Sequence, residues 1–291
     1  MRVRTFSVLA GSRACNARCP FCISRMTIPH GMTLQQPEVN WRNFRKACLL
    51  ARDMGAVTAM ITGKGEPTLF PEMITGYLHT MQDYNFPLIE LQTNGIAIME
   101  DQARYGEYLS CWHDLGLNTV ALSIAHYETE KNREVFVPYK EHYIDLPGLI
   151  DCLHEHDLTV RLSCVLVNGY ICDPDRLQKL IEFARENQAE QLTVVPVNGP
   201  ARSDDPDVTR WTKENALTPE QAAAIQDFLT THGNKLLEFK HGAVVYDVGG
   251  QNLCLSSCLT ATSRAGEIRN LIFFPDGHIR YDWQFPGAIL L

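Results

Sequence analysis

The chain has 291 residues, 45% of them hydrophobic, with a formal net charge of −8. That supplies a sizeable core for one or two domains, and the acidic balance advertises no nucleic-acid surface, so nucleic acid is not an expected partner. Ten cysteines are too few for a disulfide scaffold of this size. The absence of a signal-type h-region points to a reducing cytoplasm, and no apolar run approaches the roughly 18 residues of a membrane span.

From Thr5 to about Asn198, strand-like and helix-like segments alternate. Arg4 to Ala10 reads as a strand, and the loop after it is broken by Pro29, Gly31 and Pro37. From Trp41, the residues Phe44, Ala47, Cys48, Ala51 and Met54 recur at helical steps, and Gly55 is placed to end the helix. Ala56–Thr62 is a second strand, Pro71–Tyr84 a helix, and Pro87–Thr93 a third strand ending in Asn94-Gly95. Glu100–Leu115 reads as a helix, Thr119–Ala125 as the fourth strand, Asp145–His156 as a helix and Leu158–Val167 as the fifth strand. Pro174–Glu186 carries Leu177, Leu180, Ile181 and Ala184 on one helical face, and Gln191–Val197 is the sixth strand. Cys48, Cys152 and Cys164 fall inside such apolar segments, where a buried free thiol is ordinary. Six βα units with short apolar strands imply parallel strands joined by right-handed crossovers, in a barrel or a doubly wound sheet.

The proline-punctuated stretch Pro200–Asp207 reads as a loop or linker. A helix starts near Thr218, where Thr218-Pro219 is an N-cap followed by a first-turn proline. Ile268–Trp283 reads as a hairpin across Pro275-Asp276-Gly277, and the apolar tail 285–291 is expected to dock on the body of the protein. The expected division is 1–200 for the βα part and 201–291 for a C-terminal α+β extension.

The first strand leads into Cys15-Asn16-Ala17-Arg18-Cys19-Pro20-Phe21-Cys22, three cysteines at C-x3-C-x2-C spacing. Thiolate sulfur is soft and selects zinc, copper(I) or iron–sulfur clusters. A four-iron cluster held by three thiolates leaves one iron open to another molecule. Two other readings exist: a zinc site with His30 as fourth donor, or a redox pair Cys19/Cys22. Zinc patterns pair two C-x2-C units, or one with H-x3-H, and neither occurs here.

The loop resembles that of the radical S-adenosylmethionine (SAM) superfamily, in which Cys15, Cys19 and Cys22 would hold a [4Fe–4S] cluster and SAM would chelate the fourth iron. Phe21 matches the aromatic favoured before the third cysteine. The resemblance implies a partial (β/α)6 TIM-type barrel, SAM cleavage to a 5′-deoxyadenosyl radical, and an external one-electron reductant such as flavodoxin or ferredoxin. It also extends to Gly63-Lys64-Gly65-Glu66-Pro67 at the end of the second strand, similar to a Gly-Gly-Glu-Pro signature that holds the SAM amino group. Lys64 departs from that signature and puts a cation near the site. Outside the resemblance, the same stretch is a strand-to-helix turn.

Thr93-Asn94-Gly95 is similar to a family turn that shapes the SAM pocket. Ser123, Ser163 and Asn168 fall where the family often contacts the SAM sugar or carboxylate, and Val195-Pro196 where main-chain groups face adenine. Outside the resemblance the first is a turn and Ser123 a small inward-facing residue, and for Ser163, Asn168, Val195 and Pro196 strand position is the sole ground. Arg13, Arg18 and Arg25 flank the cysteines, and Lys64 joins them if the barrel closes as proposed. Together around a concave site they would favour an anionic ligand, the other reading being solvated loop arginines with one bonded to the SAM carboxylate. His126-Tyr127 follow the fourth strand, within reach of that cavity. Cys254 and Cys258 form a C-x3-C, short of the four ligands of an auxiliary cluster unless Cys111 and Cys172, or a substitute ligand, join them.

The expected function is radical SAM chemistry on a small, anionic metabolite or nucleotide in a biosynthetic pathway. The alternatives are modification of a peptide or protein side chain, and a non-catalytic zinc-bound or regulatory barrel.

Overall fold

The computed structural model describes residues 2–141, 143–200, 203, 205–239, 242–256 and 267–291. The alternation builds β1 (Arg2–Leu9), α1 (Ile23–Met26), α2 (Trp41–Asp53), β2 (Thr58–Thr62), α3 (Pro71–Met81), β3 (Leu88–Thr93), α4 (Ile96–Glu100) and α5 (Gln102–Asp114). It continues with β4 (Thr119–Ile124), α6 (Thr129–Phe136), α7 (Leu146–His154), β5 (Thr159–Leu166), α8 (Pro174–Glu186) and β6 (Gln191–Pro196). Then come α9 (Pro206–Glu214), α10 (Pro219–His232), β7 (Asn234–Glu238), β8 (Val244–Val248), β9 (Gln251–Leu255), β10 (Glu267–Phe273) and β11 (Ile279–Arg280).

Strands β1 to β6 are parallel and pair in chain order. Among the described residues the sheet has eleven strands in the order β11-β10-β1-β2-β3-β4-β5-β6-β9-β8-β7. It is open, with β11 and β7 at its edges, as a partial barrel requires. The residues after 200 extend this sheet at both sides: β9 runs parallel to β6, with Thr193 beside Cys254, and β10 runs parallel to β1, with Phe6 beside Leu271.

Local signals explain the elements that place the site. Asn40 caps α2 through the Asn43 amide, and Phe44, Ala47, Cys48 and Ala51 are its buried stripe. Asp173 caps α8, with Pro174 in the first turn. Thr218 and Gln221 form a reciprocal capping box on α10. In β5 the residues Val160, Leu162, Cys164 and Leu166 are buried against the helical layer, while Arg161, Ser163 and Val165 alternate onto the inner, half-buried face. That alternation makes a lumen.

Four features depart from the expectations. The helix expected over 100–115 is α5, and a short helix that was not expected, α4, precedes it, because Asp101 stops α4 and caps α5 through the Arg104 amide. Helix α6 is an addition. Helix α9 begins inside the stretch read as a loop, with Asp205 as N-cap accepting from the amides of Asp207 and Val208. The hairpin β10–β11 is present, but β10 takes β1 as its main partner. The tail does dock: Leu290 donates to the Ile279 carbonyl and Tyr281 to that of Ala288.

Candidate active site

Cys15, Cys19 and Cys22 lie on the loop between β1 and α1, and all three line a cavity of about 280 Å³ at the C-terminal ends of the strands. Phe21, Gly63, Gly65, Glu66, Pro67, Thr93, Asn94, Ser123, Ser163 and Val195 line the same cavity. The fold therefore gathers thirteen of the fifteen residues singled out by sequence.

Two are placed elsewhere. Asn168 leaves the cavity because its amide Oδ1 accepts from Gln221 on α10 and its backbone N–H donates to Asn215. Lys64 is 6% exposed and turns away from the cavity, between two glycines that do line it. Its Nζ lies 2.6 Å from Thr27 Oγ1 and 5.5 Å from the centre of the Trp283 ring.

The cluster loop and the β2 turn are packed together. The Glu66 amide donates to the Ala14 carbonyl at 2.9 Å. A Cβ on Gly65 would stand 2.0 Å from that same oxygen, so only glycine permits this approach. The Glu66 carboxylate is 4% exposed and is held by four donors. Oε1 accepts from Thr68 N (3.0 Å), Thr68 Oγ1 (2.7 Å) and Thr93 Oγ1 (2.6 Å), and Oε2 accepts from Asn94 N (3.0 Å). Asn94 in turn donates through Nδ2 to Asn16 Oδ1 on the cluster loop at 2.7 Å. Thr93-Asn94-Gly95 is thus both a turn, with Gly95 at φ +74°, and a wall of the cavity.

Burial pushes the Cys15 thiol up to about 12, reinforced by the Glu66 carboxylate. Burial also raises Cys19, with Cys22 and Cys15 adding to it. Without a metal these thiols keep their protons, so binding one must release them. The same preference raises Glu66, where burial outweighs its hydrogen bonds.

The donor set fits an iron–sulfur cluster. Three soft thiols share one wall, and the neighbouring carboxylate is engaged by other donors. Among the described residues no three His, Cys, Asp or Glu side chains converge on a point as ligands of a single ion; thiolates bound to three separate irons have no need to. His30, the candidate zinc donor, instead holds the Trp283 carbonyl at 3.1 Å and packs edge-on against Phe274.

The cations expected around the site do not line it. Arg25 pairs with Asp205 at 2.7 Å, and Arg18 lies over the Tyr139 ring. His126 is a buried loop residue whose Nδ1 accepts from the Glu128 amide. Cys254 sits on β9, Cys111 on α5, and Cys172 beside Arg176; Cys258 falls outside the described residues.

Sequence reasoning missed Ile23, Gln92, Phe136, Val165, Val197 and Asn198, all on the cavity wall. Alternation from Ser163 points to Val165. Nothing pointed to Phe136, because α6 was not foreseen. Below Gln92 the lumen is floored by a polar network. Gln92 Nε2 donates to Glu90 Oε1 at 3.3 Å, and Arg161 Nη2 donates to the same oxygen. Ala121 stands between Gln92 and Arg161 in register, and its small side chain leaves room for the guanidinium to cross β4.

A partly open parallel barrel with three thiols at its mouth defines a class. The family model of the radical SAM superfamily matches residues 10–184, and the chain belongs to that superfamily, whose enzymes use a [4Fe–4S] cluster and SAM. No curated protein matches the chain. Among solved structures, it is similar to Streptococcus suis SuiB bound to precursor peptide SuiA, at 16% identity and TM-score 0.63, covering 97% of this chain and 60% of that one. It is similar to anSMEcpe with bound AdoMet, at 14% identity and TM-score 0.61, covering 99% and 77%. It is also similar to methylornithine synthase (PylB), at 14% identity and TM-score 0.54, covering 79% and 63%. At these identities the likeness is one of fold, and the chain spans only 60% of the length of SuiB. Among the described residues no helix is long and apolar enough to cross a membrane.

Proposed function

We propose that this chain is a radical SAM enzyme in which Cys15, Cys19 and Cys22 hold the cluster and SAM lies from Glu66 across the ends of β4, β5 and β6. The observation that carries it is the single cavity shared by the three thiols, Glu66, Ser123, Ser163 and Val195. Held by Cys15, Cys19 and Cys22, a cluster would supply the electron for reductive cleavage of SAM and so for hydrogen-atom abstraction from substrate. The residues of this chain position that chemistry. Oε2 of Glu66, with one protein donor against three at Oε1, is the oxygen left to receive the SAM ammonium group. Phe21, Phe136 and Val195 surround the cavity with apolar surface that excludes water from a radical. The electron comes from outside, from a flavodoxin or ferredoxin, in a reducing cytoplasm.

Among the described residues no Arg or Lys lines the cavity, so its wall does not supply the cations expected beside an anionic metabolite. That favours a second reading alongside a small metabolite, a peptide side chain reaching the lumen, and the SuiB structure similar to this one was solved with a precursor peptide.

The test is anaerobic reconstitution with iron and sulfide, followed by reduction in the presence of SAM. A brown protein with four irons per chain that forms 5′-deoxyadenosine supports the assignment; a colourless zinc protein overturns it. Deuterium passing into 5′-deoxyadenosine from labelled small metabolites, or from labelled peptides, then decides between the two substrates.

A further inference from the structure

Helix α1 carries the far end of the cluster loop, and it is a single turn. It spans four residues, begins directly after Cys22, and has no side-chain cap at that residue. One isolated turn does not hold itself, because nucleation costs more than one hydrogen bond returns. Its position must come from outside contacts, and these fall on two sides. Towards α9, Arg25 pairs with Asp205, and buried Met26 receives Thr212 Oγ1 at 3.8 Å on its sulfur. On the other side stands Lys64.

Lys64 occupies the middle of the Gly63-Lys64-Gly65 turn, whose glycines line the cavity. Its Nζ donates to Thr27 Oγ1, and that hydroxyl donates to the Ile23 carbonyl at 2.9 Å. Ile23 is bonded to Cys22 and lines the cavity itself. The Trp283 ring covers the ammonium. Trp283 is fixed in its turn: its carbonyl accepts from His30, and Arg280 Nη2 holds the carbonyls of Phe285 and Pro286, each at 2.7 Å. Residues 27–30, 64 and 280–286 therefore meet at one point beside the cluster loop.

We infer that Lys64 is a positioning residue. Its ammonium, roofed by Trp283, fixes Thr27 and through it the Ile23–Cys22 end of the loop, so that the cluster side and the SAM side of the cavity keep one spacing. Where the family signature has a second glycine, this chain uses a side chain to tie the two ligand-bearing segments together. The inference rests on the cluster assignment proposed above.

Lys64→Met removes the donor and keeps the length of the chain, and Thr27→Val removes the acceptor and keeps its shape. Both variants should load about four irons. Outer-shell partners of this kind usually change affinity 10- to 100-fold, so both should weaken SAM binding by about tenfold, read as the SAM-induced change in the spectrum of the reduced cluster. Amide exchange at residues 23–27 should rise in the cluster-free protein as well. Lys64→Arg, which keeps a charged donor, should recover most of the affinity. Unchanged SAM affinity and exchange in both Lys64→Met and Thr27→Val overturn the inference. So does a Lys64→Arg protein as defective as Lys64→Met, which would assign the effect to packing alone. A wild-type chain that takes up no cluster overturns the functional assignment instead, while the exchange measurement still judges the tie.

Discussion

The six central strands and the strands that flank them are built on the same sheet by different rules. From β1 to β6 each strand pairs with the next one in the chain, and each contributes cavity-lining residues from its C-terminal half or from the segment that follows it. The flanks pair in chain order among themselves, but antiparallel, and they join the centre out of order. β10 lies beside β1 although more than two hundred residues separate them, and β9 lies beside β6 after a detour through α9, α10 and a ribbon. Yet the flanks are not an appendage in packing terms. Phe273 of β10 packs against Phe44 of α2 with ring centres 4.9 Å apart, and Leu253 and Leu271 are fully buried in the main core. The chemistry is carried by the centre, while the flanks complete the core and, through Trp283, reach back to the cluster loop.

The largest effect expected separates the centre from everything else. Cys19→Ala should abolish cluster binding and SAM cleavage together, since three thiolates are the whole protein grip and no neighbouring donor is soft. Iron content and 5′-deoxyadenosine formation check this. A Cys19→Ala protein with full iron and turnover removes the cysteine loop from the site. Cys254→Ala on β9 should leave both untouched.

The next largest asks whether the flanks fold with the centre. Leu192 of β6 and Leu253 of β9 stand side by side in register, and both are fully buried. Truncating either to alanine should cost about 2–5 kcal/mol, in one cooperative transition. A Leu253→Ala protein that unfolds in two steps, or at almost no cost, would make the flank a separate unit.

This contrast also explains what could be read from the sequence. Central elements announce themselves locally: the Phe44–Ala51 stripe, the Asn94-Gly95 turn and the cysteine loop each sit within a dozen residues. The barrel and most of its cavity wall follow from them. Pairing across two hundred residues leaves no local trace, so β9 beside β6 was out of reach. Helix α6 was obscured for a different reason: Thr-Glu-Lys-Asn-Arg-Glu-Val-Phe is mostly polar, and only Asn132, Val135 and Phe136 are buried. Helix α9 was legible, for Asp205-Pro206 repeats the signal of Thr218-Pro219. The cations near the loop misled because neither nearness in sequence nor a place on an adjoining turn says which way a side chain leaves the backbone. Arg25 leaves towards Asp205 and Lys64 towards Thr27.

His126 gives a smaller, pH-dependent effect confined to the centre. Burial lowers its pKa from 6.5 to about 4. Between those values the unfolded chain binds the proton and the folded one does not. Stability therefore falls as pH drops through that window, by at most about 3 kcal/mol from this group. Denaturant unfolding at pH 4.5 and pH 7 should show the loss, and His126→Phe should flatten it. An equal loss in that variant assigns the acid sensitivity to other groups.

The smallest effect expected concerns Glu66, where centre and site are hardest to tell apart. Its carboxylate already bonds the β2 turn to the β3 turn, through Thr68 and Thr93 at Oε1 and Asn94 at Oε2. Its loss could act on the fold, on SAM, or on both. Glu66→Gln separates these. If the glutamine oxygen keeps the three donors at the Oε1 position, the amide NH2 takes the Oε2 position. There it faces the Asn94 N–H and the SAM ammonium, both donors. Losing one charge-assisted bond of roughly 1.5–3 kcal/mol predicts SAM binding weaker by about tenfold or more. The misplaced NH2 against Asn94 should cost about 1 kcal/mol of fold, a fall of a few degrees in Tm for a chain of this size. Both should be measured on protein with a full cluster. A lower Tm with unchanged SAM affinity would make Glu66 a clamp between two turns, and would leave Cys15, Cys19 and Cys22 as the only groups of this wall that touch a cofactor.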